Sequence, residues 1–410
     1  MRKLMLIVSV LIATFPLSGC WDRKEVSELA LVMAKADDNL VRVSVQVAIP
    51  SKVGGSQSGS GKGEGGKSFF VVSATGRTVS EADAHIQQKL PRQLYLPHLR
   101  IILVGDSLAR SGMDQILDHF GRNPPNRLRS TFLIAKDSDA MPLLQTIYPL
   151  ESLSGEAIRK LERQLTGSNT TLMDFLIQAS SEGTDQFSSA ISLKPQPSAG
   201  GSPNSEQNTP DFAFTDRAIF RDLKLVGYVS GEETVALQWL NERLRRTTLT
   251  MNVPGTKGTI SVDVTQPRRR AGTFVQGKNV VVRYDLDGAG MVTENTTGLD
   301  ADNPHVMSMF QSAFNLYLEQ TAQQCLTTVT KKMDADATGI GRMVYHQHPY
   351  DWERIKGDWR NELPNVRCVV HSQVKLIESG KSGPPLYGKQ HRGIQESGVT
   401  SNSQLEGGAK

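Results

Sequence analysis

The first 22 residues limit what the rest of the chain can fold into, because they read as a segment that is removed. Arg2 and Lys3 lead into an apolar run over 4–15, followed by Leu17-Ser18-Gly19-Cys20-Trp21-Asp22. A positive start, a short apolar stretch and small residues before a cleavage point form the secretory pattern, and about a dozen apolar residues are too few to span a bilayer. A cysteine directly after Ser18-Gly19 is what prolipoprotein processing requires. Its thiol takes a diacylglyceryl group as a thioether, and cleavage falls between Gly19 and Cys20. Covalent diacylglycerol on Cys20, with an N-acyl chain as a further modification, is the only non-protein group expected; no cofactor or metal is. A single acyl chain binds a membrane only marginally, so two are needed for stable tethering. The folded body must therefore start near residue 20, survive export and sit beside a membrane without crossing it.

Such a body has to hold itself together by burial. Of three cysteines only Cys325 and Cys368 remain once Cys20 is lipidated, which excludes a disulfide framework and favours free buried thiols over a single bridge. The 46 basic residues, less Arg2 and Lys3, face 42 acidic ones, a balance that offers nothing to a polyanion, and no nucleic-acid partner is expected. The densest basic cluster, Arg268-Arg269-Arg270 with Arg245 and Arg246 upstream, reads as a solvated loop and a helix end. After Phe15 the best apolar run, Ile101-Ile102-Leu103-Val104, is strand-sized.

Along the chain the pattern predicts a mixed α/β (α+β) protein of three dissimilar domains, each a mixed β-sheet with helices packed on it, behind the signal peptide at 1–19. The first, 20–148, carries strands over 40–49, 68–74, 98–104 and 130–135 and helices over 80–90 and 107–120, with a mobile Gly/Ser loop at 54–66. The second, 149–246, has helices beginning at Ser154 and Leu172, strands near 218–220 and 225–228, a helix from Glu232, and a disordered Ser/Gly/Asn/Pro loop at 195–210. The third, 247–379, opens with strands turned by Gly255, Gly258 and Gly288. It continues into an amphipathic helix over 303–333, where Asn303 caps, Pro304 starts the first turn, and Val306, Phe310, Phe314, Tyr317, Cys325, Val329 and Met333 recur at helical spacing. A strand over 368–377 and a disordered tail at 380–410 close the chain.

Sites of chemistry are missing from this pattern. Gly61 to Ser68 matches the P-loop letter for letter, but a phosphate cradle needs a strand before it and a helix starting at Lys67-Ser68; here Phe69-Phe70-Val71-Val72 is strand. Asp334 to Gly339 resembles the start of a calcium loop whose twelfth position should be glutamate and is Tyr345. His346 and His348 lack any spaced partner for a metal. Neither a Gly-x-Ser-x-Gly elbow nor a His-Glu-x-x-His helix occurs, so the chain is not expected to be an enzyme.

Several segments together resemble the Ger(x)C lipoproteins of spore germinant receptors. They are Gly19-Cys20-Trp21-Asp22 with Glu25 and Glu28-Leu29-Ala30, Ser80-Glu81-Ala82, Leu96-Pro97-His98 running into Ile101 to Ala109 through Gly105, Ala218 to Tyr228 with Glu232-Glu233-Thr234, and Asp334 to Gly341 with Trp352, Trp359 and the strand from Val366 to Gly380. The resemblance covers Cys20 to about Gly380 and departs at the two loops and the tail. It implies three α/β domains and a non-catalytic subunit, lipid-anchored to the outer face of the spore's inner membrane. There it would act with the integral-membrane A and B subunits in nutrient-triggered germination. Trp21, Asp22, His98, Gly105, Gly339, Gly341, Trp352 and Trp359 match family positions of unknown role, for which packing and turn geometry suffice. The alternative from another class is a solute-binding lipoprotein serving a transporter, although such proteins have two similar lobes where this chain reads as three dissimilar units.

Overall fold

A computed structural model describes residues 25–26, 29–37, 40–49, 68–94, 96–122, 128–166, 170–194 and 211–378. Gly19, Cys20, Trp21 and Asp22, the stretch 54–66, the 195–210 loop and the tail from 380 lie outside the described residues. The chain runs through β1 (Glu25–Val26), β2 (Leu29–Asp37), β3 (Leu40–Ala48), β4 (Phe69–Gly76), α1 (Val79–Gln87), β5 (Gln93–Leu94), β6 (Leu99–Gly105), α2 (Asp106–Ser111), α3 (Asp114–Arg122), β7 (Thr131–Ala135), α4 (Met141–Gln145), α5 (Ser154–Thr166), α6 (Leu172–Ser180) and β8 (Phe187–Lys194). It continues through β9 (Asp211–Arg221), β10 (Lys224–Ser230), α7 (Glu232–Leu240), β11 (Arg246–Asn252), β12 (Thr259–Gln276), β13 (Asn279–Asn295), α8 (Pro304–Thr327), α9 (Ile340–Gln347), α10 (Pro349–Ile355), α11 (Trp359–Glu362) and β14 (Arg367–Glu378).

Two sheets carry the fold. The larger has eight strands in the order β10-β9-β8-β7-β6-β2-β3-β4. Its centre, β8, β7, β6 and β2, is parallel and each flank is antiparallel. Side chains alternate across a strand, so a parallel centre covered on both faces must be apolar on both. That is why Ile101 to Val104 is an unbroken apolar run: Ile102 and Val104 pack with α1, α3 and α6, whereas Ile101 and Leu103 pack with α4 and α5. The second sheet, β11-β12-β13-β14, is antiparallel except for the parallel pair β13 and β14. Its core takes in α7 and α8 and reaches back to Phe187, Ile219 and Val229 of the first sheet.

The mixed α/β class holds, but the region 149–246 builds no sheet of its own. β8, β9 and β10 extend the first sheet, with Leu133 of β7 registered against Ser189 of β8. Phe187-Ser-Ser-Ala-Ile-Ser-Leu-Lys is too rich in serine to stand out as a strand, and pairing rather than local pattern makes it one. The helix expected over 107–120 is two helices, divided at Gly112, whose φ of 131° no helix accommodates. Ser154 does not cap α5; its hydroxyl donates back to the carbonyls of Leu144 and Thr146. Of the apolar stripe that spacing predicts on this helix, Ile158, Leu161 and Leu165, the first is buried and the second partly so, whereas Leu165 is 63% exposed. Gly288 lies inside β13, and the hairpin turn falls at Gly277, with φ 63°. Arg268 to Arg270 are strand, not loop: Arg270 pairs with Asp287, while Arg269 turns inward to Glu242 and the Tyr284 ring. The long helix appears where its periodicity places it, with the Asn303 side chain accepting from His305 N, and ends in one π turn over Thr328–Lys332.

A sheet edge exposes unpaired backbone groups that invite strand addition. In this chain one outer edge of each sheet is laced by an antiparallel helical segment. Along β14, Gln311 and Glu319 accept from Leu376 N and Ser372 N at 3.0 and 2.9 Å, and Asn315 both accepts from Val374 N at 2.8 Å and donates to Val374 O at 3.1 Å. Along β4, His85 and Lys89 donate to Thr75 O and Ser73 O at 2.8 and 2.6 Å. The lacing works because four helical residues rise about 6.0 Å and two strand residues about 6.6 Å, so i, i+4, i+8 on the helix keeps step with alternate strand residues.

Candidate functional site

The structure gathers four of the family-matching positions, Gly339, Gly341, Trp352 and Trp359, into one buried junction between the two sheets. The π turn ends α8, and the chain passes through Asp334-Ala335-Asp336 before Gly339, at φ 68°, turns it into α9. Asp336 is 1% exposed. Its carboxylate accepts from Ile340 N and Gly341 N, both at 2.7 Å, and from the Trp359 indole N–H at 3.3 Å. Asp336 thus spends its oxygens on the first amides of α9, as a helix-capping carboxylate does, and Asp334 gives one of its own to Arg221 at 2.9 Å.

The opposite side of the junction is the turn between α6 and β8. Asp185 and Asp336 exchange backbone and side-chain bonds: Asp185 N donates to Asp336 O at 2.9 Å, and Asp336 N to the Asp185 carboxylate at 2.7 Å. Arg360 on α11 grips Asp185 with two N–H groups at 2.6 and 2.9 Å and reaches Asp222 at 2.7 Å. Gly183 O accepts from Arg342 N at 2.8 Å. Trp352 and Trp359 meet edge to face with ring centres 5.3 Å apart, and Gly341 and Gly183 are the space that lets them: a Cβ on either would lie 2.8 Å from the Trp352 ring. Burial pushes the Asp336 carboxyl up to about 7, against the pull of its amide donors, while the Asp185 carboxylate and lost solvent act in opposite directions on Arg360, with the carboxylate prevailing and raising it.

The other family-matching residues stay apart from this clasp. His98 ends a half-buried 3₁₀ turn leading into β6. Gly105 precedes α2 with φ −66°, and a Cβ there would make only ordinary contacts near Asp139, so positive φ is not its reason. His348 is engaged by the backbone: its Nε2 faces Thr273 O at 2.8 Å. No group of three or more His, Cys, Asp or Glu among the described residues could hold a metal ion. Asp185, Gly183 and Arg360 carry no mark of the clasp in the sequence; Asp336 stands out only as part of the Asp-rich stretch before Gly339. A second polar cluster lies where β6 and β7 end, with the Tyr228 hydroxyl on Asp106 at 2.5 Å and Lys136 on Asp216 at 2.8 Å.

The parallel strands follow one another across the first sheet in chain order, β2, β6, β7, β8. Ligand crevices in open sheets form where that order reverses, and this sheet has no such point among its parallel strands. The clasp likewise is closed by side chains. Its geometry suits holding two packed units in a fixed relation.

Comparison with known proteins agrees with that architecture. Residues 22–193 match the family described as spore germination protein N-terminal domain, and residues 215–380 match spore germination B3/GerAC like, C-terminal. The chain is 25% identical over 370 residues to the putative spore germination protein YfkR of Bacillus subtilis (strain 168), covering 89% of this chain and 94% of that one. With spore germination protein KC of the same organism it shares 23% over 400 residues, covering 94% and 98%. The crystal structure of the GerBC protein superposes with a TM-score of 0.54 at 18% identity, over 87% of this chain and all of that one. The fold is shared.

Proposed function

The chain belongs to the Ger(x)C family of spore germination proteins, and from that premise we propose that it is the lipoprotein C subunit of a nutrient germinant receptor. In this reading Cys20 carries the diacylglyceryl anchor, the body sits on the outer face of the spore's inner membrane, and it assembles with the integral-membrane A and B subunits without catalysing a reaction. The observation that carries the proposal is the pairing of both family halves on one chain, over nearly the full length of relatives named for spore germination. The clasp supports it, since a subunit that acts by assembly needs a rigid relation between its parts. Tethering supplies the rest: confinement beside membrane partners raises effective concentration, so weak contacts suffice.

The test is affinity purification of the tagged protein from solubilised dormant-spore membranes, with mass spectrometry of the partners and of the Cys20 peptide. Two multi-span subunits together with a diacylated Cys20 are expected. An ABC permease in their place would support the solute-binding alternative, and a Cys20→Ala strain that assembled and germinated normally would overturn the tethering mechanism.

A further inference from the structure

We propose that the end of the large sheet at which its parallel strands begin is a membrane-contacting floor that recognises an anionic lipid surface; the orientation rests on the Cys20 anchor proposed above. Glu25 lies five positions beyond Cys20, and an extended chain covers at most about 3.6 Å per step, so β1 must lie within roughly 18 Å of the lipidated cysteine. β1 pairs in parallel with β5, Glu25 against Gln93 and Val26 against Leu94. β5 immediately precedes the start of β6, and β2 starts beside β6, with Leu29 against Leu99. This end of the sheet is therefore the end held against the bilayer.

The side chains around it match that surface. Arg92 flanks β5 and Arg129 precedes β7, both exposed, and neither has an ion-pair partner among the described residues. Arg122 reaches the same end, because the crossover from β6 to β7 must bring α3 back to it, but is paired with Asp118 at 2.6 Å, so among the described residues the unpaired charge here is that of Arg92 and Arg129. Apolar residues stand out at the same end. β4 is parallel to β2 and starts here, and the Ser68 hydroxyl beside it donates to Ser152 O, which fixes the preceding loop with Ile147 at 53% and Leu150 at 82% exposure. Basic side chains beside exposed aliphatic ones, within reach of an acyl anchor, are what an anionic interface binds. The opposite end of the sheet, where α2 begins, holds Arg77 and Arg110, each engaged by a carboxylate, Glu81 and Asp106.

The test needs no lipidation, so its failure is separable from failure of the anchor reading. Mature Cys20→Ser protein is co-sedimented with phosphatidylcholine vesicles and with vesicles containing phosphatidylglycerol, at low and high salt. Preference for anionic vesicles that salt abolishes is expected. A basic side chain beside such a surface contributes about a fivefold gain in partitioning, so Arg92→Glu/Arg129→Glu should weaken binding more than tenfold and Leu150→Ser severalfold. Arg77→Glu/Arg110→Glu at the far end should change it little. Equal effects of the two charge reversals, or no preference for anionic lipid, would overturn the floor. So would a floor variant that binds vesicles normally yet loses copurifying membrane proteins from spores, which would make this end a protein interface.

Discussion

Replacing Gly183 by alanine tests whether the clasp is a close-packed junction. Gly183 sits at φ 67°, and a Cβ built on it would lie 2.6 Å from the Gly341 carbonyl carbon, 2.8 Å from Arg342 N and 2.8 Å from the Trp352 ring. The left-handed backbone alone costs an L-residue roughly 1–2 kcal/mol. Two of the three contacts are backbone atoms of α9 and cannot swing aside, so overpacking adds roughly 1–3 kcal/mol. The sum, about 2–5 kcal/mol, corresponds to a fall in Tm of roughly 2–6 °C for a chain of this size, since the unfolding entropy grows with length. Gly277 provides the control: it has φ 63° at a hairpin tip and nothing within 4 Å of a new Cβ, so Gly277→Ala carries the backbone cost without the clash. Scanning calorimetry of both variants separates the two contributions. If Gly183→Ala lost no more than Gly277→Ala, the close approach of the α6–β8 turn to α9 would not be holding the junction, and the reasoning would fail.

Three further outcomes follow from the same geometry. Asn315→Ala should cost about 1–3 kcal/mol by stranding Val374 N, and hydrogen exchange should speed up at Val374 more than at Ser372 or Leu376, whose amides keep Glu319 and Gln311 as acceptors. Asp336 and Asp83 are both pushed up to about 7, in each case mainly by burial, so the native chain holds more protons than the unfolded one between 3.8 and about 7. Their contribution to stability therefore falls as pH rises through that window, and Asp336→Asn should flatten the slope in denaturant titrations taken from about pH 4.5 to 7.5. Cys325 and Cys368 are free and burial raises both thiols, Cys368 up to about 12, so a thiol reagent near pH 8 should label them only on unfolding; rapid stoichiometric labelling of the native protein would contradict that packing.

Much of the architecture is legible in the order of the amino acids. The apolar run at Ile101 to Val104, the helix capped by Asn303 and the strand over 368–377 all declare themselves through local periodicity, because burial on one face or both leaves a mark within a few residues. The reading fails where local marks are faint or misleading. Serine-rich β8 is a strand through its neighbours β7 and β9, and the arginine run at 268–270 is strand because β13 supplies acidic residues opposite it.

Sequence alone settled the class of the fold and the start of the long helix at Asn303, since these depend on each residue's own chemistry and its near neighbours. It also marked Gly339, Gly341, Trp352 and Trp359, without saying what they do. Only the tertiary structure decided that the first and middle regions share one sheet, and that those four residues close on Asp336, Asp185 and Arg360. Asp185 and Asp336 are 151 residues apart in the chain, and no local pattern encodes a contact whose stability comes from excluding water between two surfaces that meet only after both have formed.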